Sequence, residues 1–376
     1  MKFLHTSDWH LGRQFHNISL IEDQEFVLEQ IFNYIIQEKV SAILISGDIY
    51  DRAIPPVSAV NLLNSFLEKI CFELKLPIIL ISGNHDSLER INFGSKMMKS
   101  SGLHIISDLT CITDPILIDE VNFFGIPYSD PDIVNSLFGL ELKTHHDAMK
   151  FLVDKIYLSM NKSNKNILLS HCFINGCNSS DSERQLSVGG ADLIGVEIFN
   201  QFDYVALGHL HAPQFKGEEK IRYSGSILKY SFSETSQKKS VTIVEINNDS
   251  TKIKELPLRP KFDLEILEDN FENIIELAKK HPYKDNYFLI RIKDERAILD
   301  PMNKLREYLP NVLQIEKTIL KNNSVRTNLK NTEKRSEYDM FKDFYKEVSG
   351  NTLNDLEENI ILNTIKEVHK NRENKI

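Results

Sequence analysis

Residues 7–12 read SDWHLG and directly follow the mostly apolar run Lys2–Thr6. A short apolar run of this kind predicts a buried strand. In extended backbone the residues i and i+2 lie on the same side, so Asp8 and His10 can face the same bound group at the end of that strand. The remainder of the chain indicates what that group is.

Four further stretches place His, Asp or Asn at the carboxyl end of a predicted apolar strand. They are GDIYDR (47–52) after Ala42–Ser46, GNHDS (83–87) after Pro77–Ser82, LLSHC (168–172) at the end of its own strand, and GHLH (208–211) after Asp203–Leu207. Open α/β sheets bind their ligands at that edge. The five stretches therefore predict one shared site.

The five stretches supply a set of oxygen and nitrogen ligands without a thiolate. The set is Asp8, His10, Asp48, Asn84, His171, His209 and His211. Such ligands suit Mn²⁺, Fe²⁺ or Zn²⁺ better than Ca²⁺ and argue against a closed cysteine-type zinc site. The set is too large for one tetrahedral ion but suits two ions that share a bridging carboxylate, and Asp48 is the natural bridge. Two ions roughly 3.5–4 Å apart can activate water and hold a phosphoryl group.

Each motif taken alone has an ordinary structural explanation. A lone D-x-H or H-x-H pair is weak evidence, and a lone His171 is more often a hydrogen-bonded core histidine. Asp48 follows a glycine and could be a turn residue, and Asn84 could be a turn residue that tolerates positive φ. Five such stretches at strand ends, in this order, favour the metal site.

Composition sets limits on the partners. The chain has 376 residues, of which 41% are hydrophobic and 26% charged, with a net charge of −9. This length allows one large domain with smaller additions. The acidic balance weakens a sequence-independent grip on phosphates, but bound metals would reverse the local field.

Cysteine content and apolar runs bear on the compartment. The four cysteines, Cys71, Cys111, Cys172 and Cys177, form no disulfide or zinc framework, and we expect free thiols. The first residues, MKFLHTSD, lack a signal-type apolar region, and no apolar run approaches the roughly 20 residues that span a bilayer. We expect a cytoplasmic protein that does not enter a membrane.

The alternation of apolar runs and helical patterns predicts an α/β domain over residues 1–256. Helices are expected at Ile21–Glu38, Ser58–Phe72 and Ala148–Ser159, and strands dominate after Cys111. The proline-flanked stretch LPLRP (256–260) is typical of a connector.

Three further segments follow this connector. They are a small α/β domain (261–320), a polar linker (321–335), and two amphipathic helices (336–376).

The order D-x-H, G-D-x-x-D-R, G-N-H-D, H and G-H-x-H resembles that of the calcineurin-like metallophosphoesterases, over residues 1 to about 245. Within that superfamily, HTSDWHLG, GDIYDR, SGNHDS, FDYVALGHLHAPQ and YSGSILKYSFSE resemble the branch of double-strand-break repair nucleases. The resemblance implies a β-sandwich flanked by helices, a small α/β capping domain and a C-terminal helical tail.

The resemblance also divides the ligands between two ions. Asp8, His10 and His211 would hold one ion, Asn84, His171 and His209 would hold the other, and Asp48 would bridge. The metal that the family prefers is manganese, and we expect two Mn²⁺ ions with Mg²⁺ as a possible substitute.

The resemblance makes His85 the donor of a proton to the leaving 3′ oxygen, and the ordinary pKa of histidine suits that role. A structural hydrogen bond is the alternative role for His85. Asp51 and Asp86 are candidates to orient histidines. Arg52 could contact a substrate phosphate or form a salt bridge with Asp51 or another neighbour.

The family resemblance further implies macromolecular partners. Nucleases of this branch act on DNA as homodimers, in heterotetramers with an ATPase that carries a long coiled coil. Helices Ser58–Phe72 and Glu89–Ser101 resemble the dimer-forming ones, and the small domain resembles one that helps to hold DNA. The basic residues of the small domain are scattered, however, and such residues are usually only a solvated face.

The tail has the composition of a docking segment. From Val325 to Ile376 it carries ten Lys and Arg and ten Asp and Glu, so contact through apolar side chains is favoured over an electrostatic one. The apolar side chains are Phe341, Phe344, Leu356 and Ile360. The alternative is that both helices pack on the chain's own core.

We therefore expect an ATP-dependent double-strand exonuclease and single-strand endonuclease that serves DNA repair, recombination and replication. One alternative is another calcineurin-like phosphoesterase, such as a cyclic-nucleotide or protein phosphatase, but a small-molecule enzyme has no need for the segments after residue 260. Another is a scaffold with a dead site, but the complete ligand set argues against it.

Overall fold

A computed structural model describes residues 1–183, 192–247, 250–318, 336–349 and 352–373. The predicted linker 321–335 lies outside the described residues. The chain divides into two compact units, which are Met1–Ile266 with Asp285–Phe288, and Leu267–Lys284 with Leu289–Ile376.

The first sheet of the larger unit contains the strand that precedes SDWHLG. Its order is Thr251–Pro257, Ser240–Ile246, Lys2–Thr6, Ala42–Ser46, Ile78–Ile81 and Leu103–Ile106. The last four strands are parallel, whereas Ser240–Ile246 runs antiparallel to Lys2–Thr6. Three adjacent carboxyl ends, those of Lys2–Thr6, Ala42–Ser46 and Ile78–Ile81, therefore meet at one edge.

The second sheet repeats this arrangement. Its order is Gln214–Lys216, Glu218–Tyr223, Tyr204–Gly208, Lys165–His171, Val121–Ile126 and Ile116–Ile118. The four middle strands are parallel, and the two outer ones pair antiparallel to their neighbours. The neighbours Lys165–His171 and Tyr204–Gly208 run side by side in register, with Gly208 opposite His171.

The core between the sheets explains why these strands read as almost continuous apolar runs. Phe3 and Leu44 of the first sheet pack in one cluster with Phe123, Leu169 and Tyr204 of the second. Burying each such side chain contributes about 1.5–3 kcal/mol. The expected β-sandwich is confirmed.

Helices cover the outer faces of the sandwich. The longer ones are Ile21–Glu38, Val57–Glu68, Pro131–Phe138 and His145–Ser159, and a π-helical turn, Lys69–Glu73, follows the second. Short helical turns lie at Leu88–Ile91, Ser95–Met98, Lys99–Ser101, Leu109–Cys111, Val196–Phe199 and Phe232–Glu234. Two small strand pairs, Gln14–Phe15 with Ile18–Ser19 and Phe173–Ile174 with Leu193–Ile194, complete the unit.

The prediction of a continuous helix over Glu89–Ser101 was wrong. The segment forms three short turns, and Gly94, with a φ of 72° in the left-handed region, separates the first turn from the second. Glycine enters that region without steric cost, and a residue there interrupts a right-handed helix.

The segment after the connector combines strands and helices, and the tail contains two helices, as the sequence predicted. A three-stranded sheet has the order Leu264–Asp269, Tyr287–Ile292 and Val312–Lys317, with helices at Phe271–Lys280 and Pro301–Arg306. The tail helices are Glu337–Ser349 and Asp355–Glu373. Among the described residues, the search for a helix long and apolar enough to cross a bilayer found none.

Candidate active site

The seven predicted ligands lie together at the carboxyl edges of the two sheets. Six of them are buried and Asn84 is half-buried. Each follows or ends a strand, as the motifs predicted: Asp8 and His10 after Lys2–Thr6, Asp48 after Ala42–Ser46, Asn84 after Ile78–Ile81, His171 at the end of Lys165–His171, and His209 and His211 after Tyr204–Gly208.

Backbone bonds hold the first two loops in register. The amide of Asp8 donates to the carbonyl of Gly47 at 3.1 Å, and the amide of His10 donates to the carbonyl of Asp48 at 3.0 Å. Asp8, His10 and Asp48 have φ values of 53°, 45° and 48°, and His209 has 109°. Such values are strained for residues other than glycine and cluster at functional sites.

One glycine allows the two sheets to approach closely at this edge. A Cβ at Gly208 would overlap the carbonyl oxygen of Ser46 and would touch His171 Nδ1. The glycine of the GHLH motif thus brings the strand before His209 against the strand before Asp48.

The first ligand cluster contains Asp8, His10 and His211, whose ligand atoms lie within 4.8 Å of one another. The Nε2 atoms of His10 and His211 are 3.1 Å apart. The amide of His209 donates to both Asp8 carboxylate oxygens, at 3.0 and 3.1 Å, and the Ser7 hydroxyl donates to one of them at 2.6 Å.

The second cluster contains Asn84, His171 and His209. His171 Nδ1 donates to the carbonyl of Ser46 at 2.9 Å, so its Nε2 carries the lone pair in the neutral ring. That Nε2 lies 3.0 Å from Asn84 Oδ1, which is also an acceptor. The Nδ1 atom of His209 lies 3.1 Å from the same oxygen.

Asp48 lies between the two clusters. One of its carboxylate oxygens is 3.7 Å from His10 Nε2 and 3.6 Å from His171 Nε2. Its other oxygen accepts the backbone amide of His85 at 2.9 Å. One carboxylate therefore faces both sets of imidazoles.

Electrostatics at this edge favour bound cations. Burial raises the pKa of Asp8, and the neighbouring charge of Asp48 raises it further. Burial lowers the pKa values of His10, His171 and His209, so these rings are neutral and a second ring proton is disfavoured. Acceptor atoms that face each other in a buried site suit divalent metal ions, so the donor set fits such ions.

His85 and Asp51 lie beside this centre. His85 Nδ1 donates to the backbone carbonyl of Asp51 at 2.8 Å, and the His85 ring packs edge-on against His10 with centroids 4.7 Å apart. The Asp51 carboxylate is 3.7 Å from His10 Nδ1 and 3.1 Å from a guanidinium nitrogen of Arg13. Asp51 thus contacts two of the site histidines.

Asp86 and Arg52 have different surroundings. The Asp86 carboxylate accepts the backbone amides of Ile49, Tyr50 and Gly83 at 2.9–3.1 Å, so it orders two loops, whereas the sequence suggested that it orients a histidine. Burial, with the charge of Asp48, raises the pKa of Asp86 to about 7 despite these bonds. Arg52 is exposed, and Asp51 pairs with Arg13.

Comparison with known proteins agrees with this geometry. Residues 1–213 match the calcineurin-like phosphoesterase family, and residues 260–349 match a family described as the type 5 capsule protein repressor C-terminal domain. The SbcD subunit of the nuclease SbcCD from Staphylococcus epidermidis is 36% identical over 95% of this chain and 96% of its own length. The Staphylococcus saprophyticus protein of the same name is 35% identical over 94% of each chain.

The chain belongs to the calcineurin-like phosphoesterases, in the SbcD family. Among solved structures, a dimetal phosphatase from Danio rerio is 11% identical, with a TM-score of 0.43, and covers 69% of this chain and 96% of its own. The expected enzyme class, a metal-dependent phosphodiesterase, is confirmed by the family.

Several contributors to this phosphoesterase centre were missed from the sequence, and three of them lie next to the predicted ligands. Gln24, on helix Ile21–Glu38, accepts the amide of Gly12 at 3.0 Å and donates to the carbonyl of His10 at 2.8 Å. Arg13 lies next to the SDWHLG stretch, pairs with Asp51 and stacks over Tyr230, with the guanidinium carbon 5.0 Å from the ring centroid.

The third missed contributor is Glu234, whose carboxylate contacts His211 Nδ1 at 3.3 Å. It is the last residue of the stretch YSGSILKYSFSE, which carried part of the family resemblance. That stretch was therefore the available signal, but nothing in the spacing between Glu234 and GHLH predicts a contact.

Proposed function

We propose that this chain is a DNA nuclease that hydrolyses phosphodiester bonds with two Mn²⁺ ions, for which Mg²⁺ can substitute. Its activities would be ATP-dependent double-strand exonuclease and single-strand endonuclease, used in the cytoplasm for DNA repair, recombination and replication. The relatives at 35–36% identity, each named as the SbcD component of the nuclease SbcCD, support this assignment.

One observation carries the metal part of the proposal. The carboxylate of Asp48 faces His10 at 3.7 Å and His171 at 3.6 Å, so it can bridge two ions. Asp8, His10 and His211 would hold one ion, and Asn84, His171 and His209 the other. Bound there, two divalent ions supply a Lewis acid for the phosphoryl oxygens and an acidified water.

His85 then supplies the proton that the leaving 3′ oxygen needs. The carbonyl of Asp51 can only accept, so Nδ1 of His85 carries a hydrogen and Nε2 is the nitrogen left to exchange a proton. The bond from the His85 amide to Asp48 fixes this loop against the bridging carboxylate. Arg52, exposed beside this loop, is the proposed contact for a substrate phosphate.

We assign residues 1–256 to the nuclease domain, 261–320 to a capping domain that helps to hold DNA, 321–335 to a linker and 336–376 to docking of an SbcC-type ATPase with a coiled coil. Exposed apolar side chains support docking by the tail, since Phe344, Leu356 and Ile360 are 59%, 73% and 57% exposed. The relatives' name, which makes each of them one component of SbcCD, supports such a partner.

Two nuclease chains would form a homodimer within a heterotetramer. Exposed apolar side chains on and near helix Val57–Glu68 and the turns after it support this, because Ile54, Val57, Phe93 and Met97 are 69%, 76%, 85% and 81% exposed. A contiguous apolar patch marks an interaction surface, and the proposal assigns these four side chains to one such patch.

The test is metal-dependent hydrolysis by the purified chain, alone and with the SbcC-type ATPase and ATP. Linear duplex DNA, single-stranded DNA and a small phosphodiester are each incubated with Mn²⁺, Mg²⁺ or EDTA, with Asp48→Ala as the inactive control. The proposal expects DNA cutting with Mn²⁺ that the partner and ATP increase and that Asp48→Ala lacks.

Other outcomes would assign a different role. Turnover of the small diester alone would retain the phosphoesterase centre and favour another calcineurin-like activity. Absence of both metal binding and hydrolysis would favour a scaffold.

A further inference from the structure

A buried ion pair lies directly behind one of the proposed metal ligands. The side chains of Glu234 and Lys239 are 0% and 3% exposed, and their carboxylate and ammonium groups are 2.6 Å apart. Burying both charges has a large desolvation cost, which is offset only when further hydrogen bonds satisfy the pair. Here those further bonds converge on His211.

Each polar group of His211 other than Nε2 has a partner. Its backbone amide donates to Glu183 at 2.7 Å, and its carbonyl accepts from Lys239 at 2.8 Å. Its Nδ1 lies 2.7 Å from the hydroxyl of Ser182 and 3.3 Å from the carboxylate of Glu234. The Ser182 hydroxyl itself donates to Glu234.

These contacts determine which nitrogen of the ring carries the hydrogen. The Ser182 hydroxyl gives its hydrogen to Glu234, so it offers only lone pairs to His211, and the Glu234 carboxylate likewise only accepts. Nδ1 therefore carries the hydrogen, and the lone pair is on Nε2, the atom that faces His10 at 3.1 Å.

Lys239 contacts both His211 and Glu234. Its ammonium nitrogen lies 2.6–2.8 Å from four acceptors, which share its three hydrogens: Ser226, Gln237, Glu234 and the carbonyl of His211. It thus balances the charge of the carboxylate that orients the ring of His211.

We propose that Glu234, whose charge Lys239 balances, is a positioning residue that fixes the tautomer and ring orientation of His211, so that Nε2 faces the ion that Asp8 and His10 would share. This inference rests on the proposed two-ion function and names its supporting residues. Partners of this kind raise metal affinity by orienting ligands, and their loss typically weakens metal binding about 10–100-fold.

The test compares two charge-neutral double variants. In Glu234→Gln/Lys239→Met the amide oxygen can still accept from His211 and from Ser182. In Glu234→Leu/Lys239→Met the Ser182 hydroxyl loses its acceptor on residue 234, so it can donate to Nδ1 and leave the ring hydrogen on Nε2. Mn²⁺ binding is measured by equilibrium dialysis of the full chain. We expect the leucine variant to lose about 10–100-fold in affinity for one of two Mn²⁺ equivalents and the glutamine variant to remain within about threefold of wild type.

Two controls separate positioning from general damage. The exposed pair Glu29 and Lys69, 2.8 Å apart, offers the matched control Glu29→Gln/Lys69→Met. Urea unfolding in EDTA reports the stability of each variant without metal. If the leucine variant does not fold, Ser182→Ala replaces it, and about threefold to tenfold weakening of one equivalent is expected, since only the nearer acceptor is lost.

Three results would overturn the inference. They are unchanged Mn²⁺ binding by the leucine variant, equal weakening of both equivalents, and a glutamine variant as weak as the leucine variant. Wild-type chain that binds two Mn²⁺ but cuts no DNA would sink the proposed nuclease function alone and leave the positioning inference standing.

Discussion

His10 and His211 are 201 positions apart in sequence, yet their Nε2 atoms lie within 3.1 Å of each other at the edges of two different sheets. His211 donates its Nδ1 hydrogen to Ser182, so its Nε2 has only a lone pair to offer. Either the Nε2 hydrogen of a neutral His10 or a bound cation satisfies this contact, since burial lowers the pKa of His10 and disfavours a second ring proton. The pairing thus suits the two-ion centre proposed for this edge of the sandwich.

Asp48 is expected to be the residue whose loss removes both ions. Asp48→Ala should bind neither Mn²⁺ equivalent, because its carboxylate faces His10 and His171 alike. His209→Ala, which alters only the Asn84 cluster, should lose one. Equilibrium dialysis with metal quantification measures both, and retention of one full equivalent by Asp48→Ala would contradict a bridging role.

His85→Asn should keep metal and lose cleavage. The ring bonds to a backbone carbonyl and is not needed to complete either ligand set, so Mn²⁺ content should stay at the wild-type level. Loss of a proton donor should lower the rate of DNA cutting about 10²–10⁴-fold.

The control is the same substitution at His16, an exposed histidine with a φ of 46°, a conformation that asparagine tolerates. It should cut at the wild-type rate. If His85→Asn loses bound Mn²⁺ to the same extent as it loses DNA cutting, the proton-donor role is wrong.

His5 should make the stability of the metal-free protein depend on pH. Burial, with the nearby Arg222, lowers the pKa of His5 to about 3, while its ring bonds to Tyr204 and to the carbonyl of Leu207. The folded state keeps this ring neutral, whereas the unfolded chain binds a proton near pH 6.5. The free energy of unfolding should therefore fall as the pH drops below 6.5, by roughly 2 kcal/mol between pH 7 and 5 from this group.

The measurement is urea unfolding in EDTA at pH 7 and pH 5 for wild type and His5→Gln. Other buried histidines titrate in both proteins, so the difference between the two pH dependences isolates His5. The variant should lose about 2 kcal/mol less than wild type over this interval. Equal losses would show that His5 does not contribute.

Much of the fold could be predicted because its strands are short and apolar. Lys2–Thr6 and Ala42–Ser46 have the expected bounds, since each is a mostly buried run that ends where polar residues follow. The prediction of a helix over Glu89–Ser101 was wrong because the spacing of apolar residues gives no information about the left-handed backbone of Gly94. The periodicity of apolar residues thus predicts which residues are buried better than it predicts whether a helix is continuous.

The site could be predicted in part for a related reason. Strand ends of parallel sheets converge, so Asp8 and Asp48 could be placed together from local pattern alone. The contact of Glu234 with His211 joins two loops that no strand order relates, and the sequence therefore offered no basis for it. The bonds of Asp86 to backbone amides were missed because a backbone donor leaves no residue-type signature.

Two arginines beside the site should differ in their effects. Arg52 is exposed, so Arg52→Ala should raise the KM for DNA severalfold with little change in kcat if it contacts a phosphate. Arg13 pairs with Asp51, which also lies 3.7 Å from His10, so Arg13→Ala should lower kcat as well. Steady-state kinetics with Mn²⁺ separates the two, and an unchanged KM in Arg52→Ala would refute a phosphate contact.

The C-terminal tail should be dispensable for metal binding and required for the ATPase partner. Phe344 and Leu356 are 59% and 73% exposed, and the tail carries no net charge, so docking would bury these apolar side chains. Deleting residues 325–376, or changing Phe344→Glu with Leu356→Glu, should abolish co-purification with the SbcC-type ATPase and leave Mn²⁺ binding within about twofold.

Leu158→Glu provides the matched control for this last experiment, because Leu158 is an apolar side chain that is 91% exposed on the helix His145–Ser159 of the larger unit. It should co-purify with the partner as well as wild type does, since the introduced charge lies outside the tail. Co-purification that survives both the deletion and the double substitution would mean that the partner binds elsewhere and that the tail helices serve this chain's own fold.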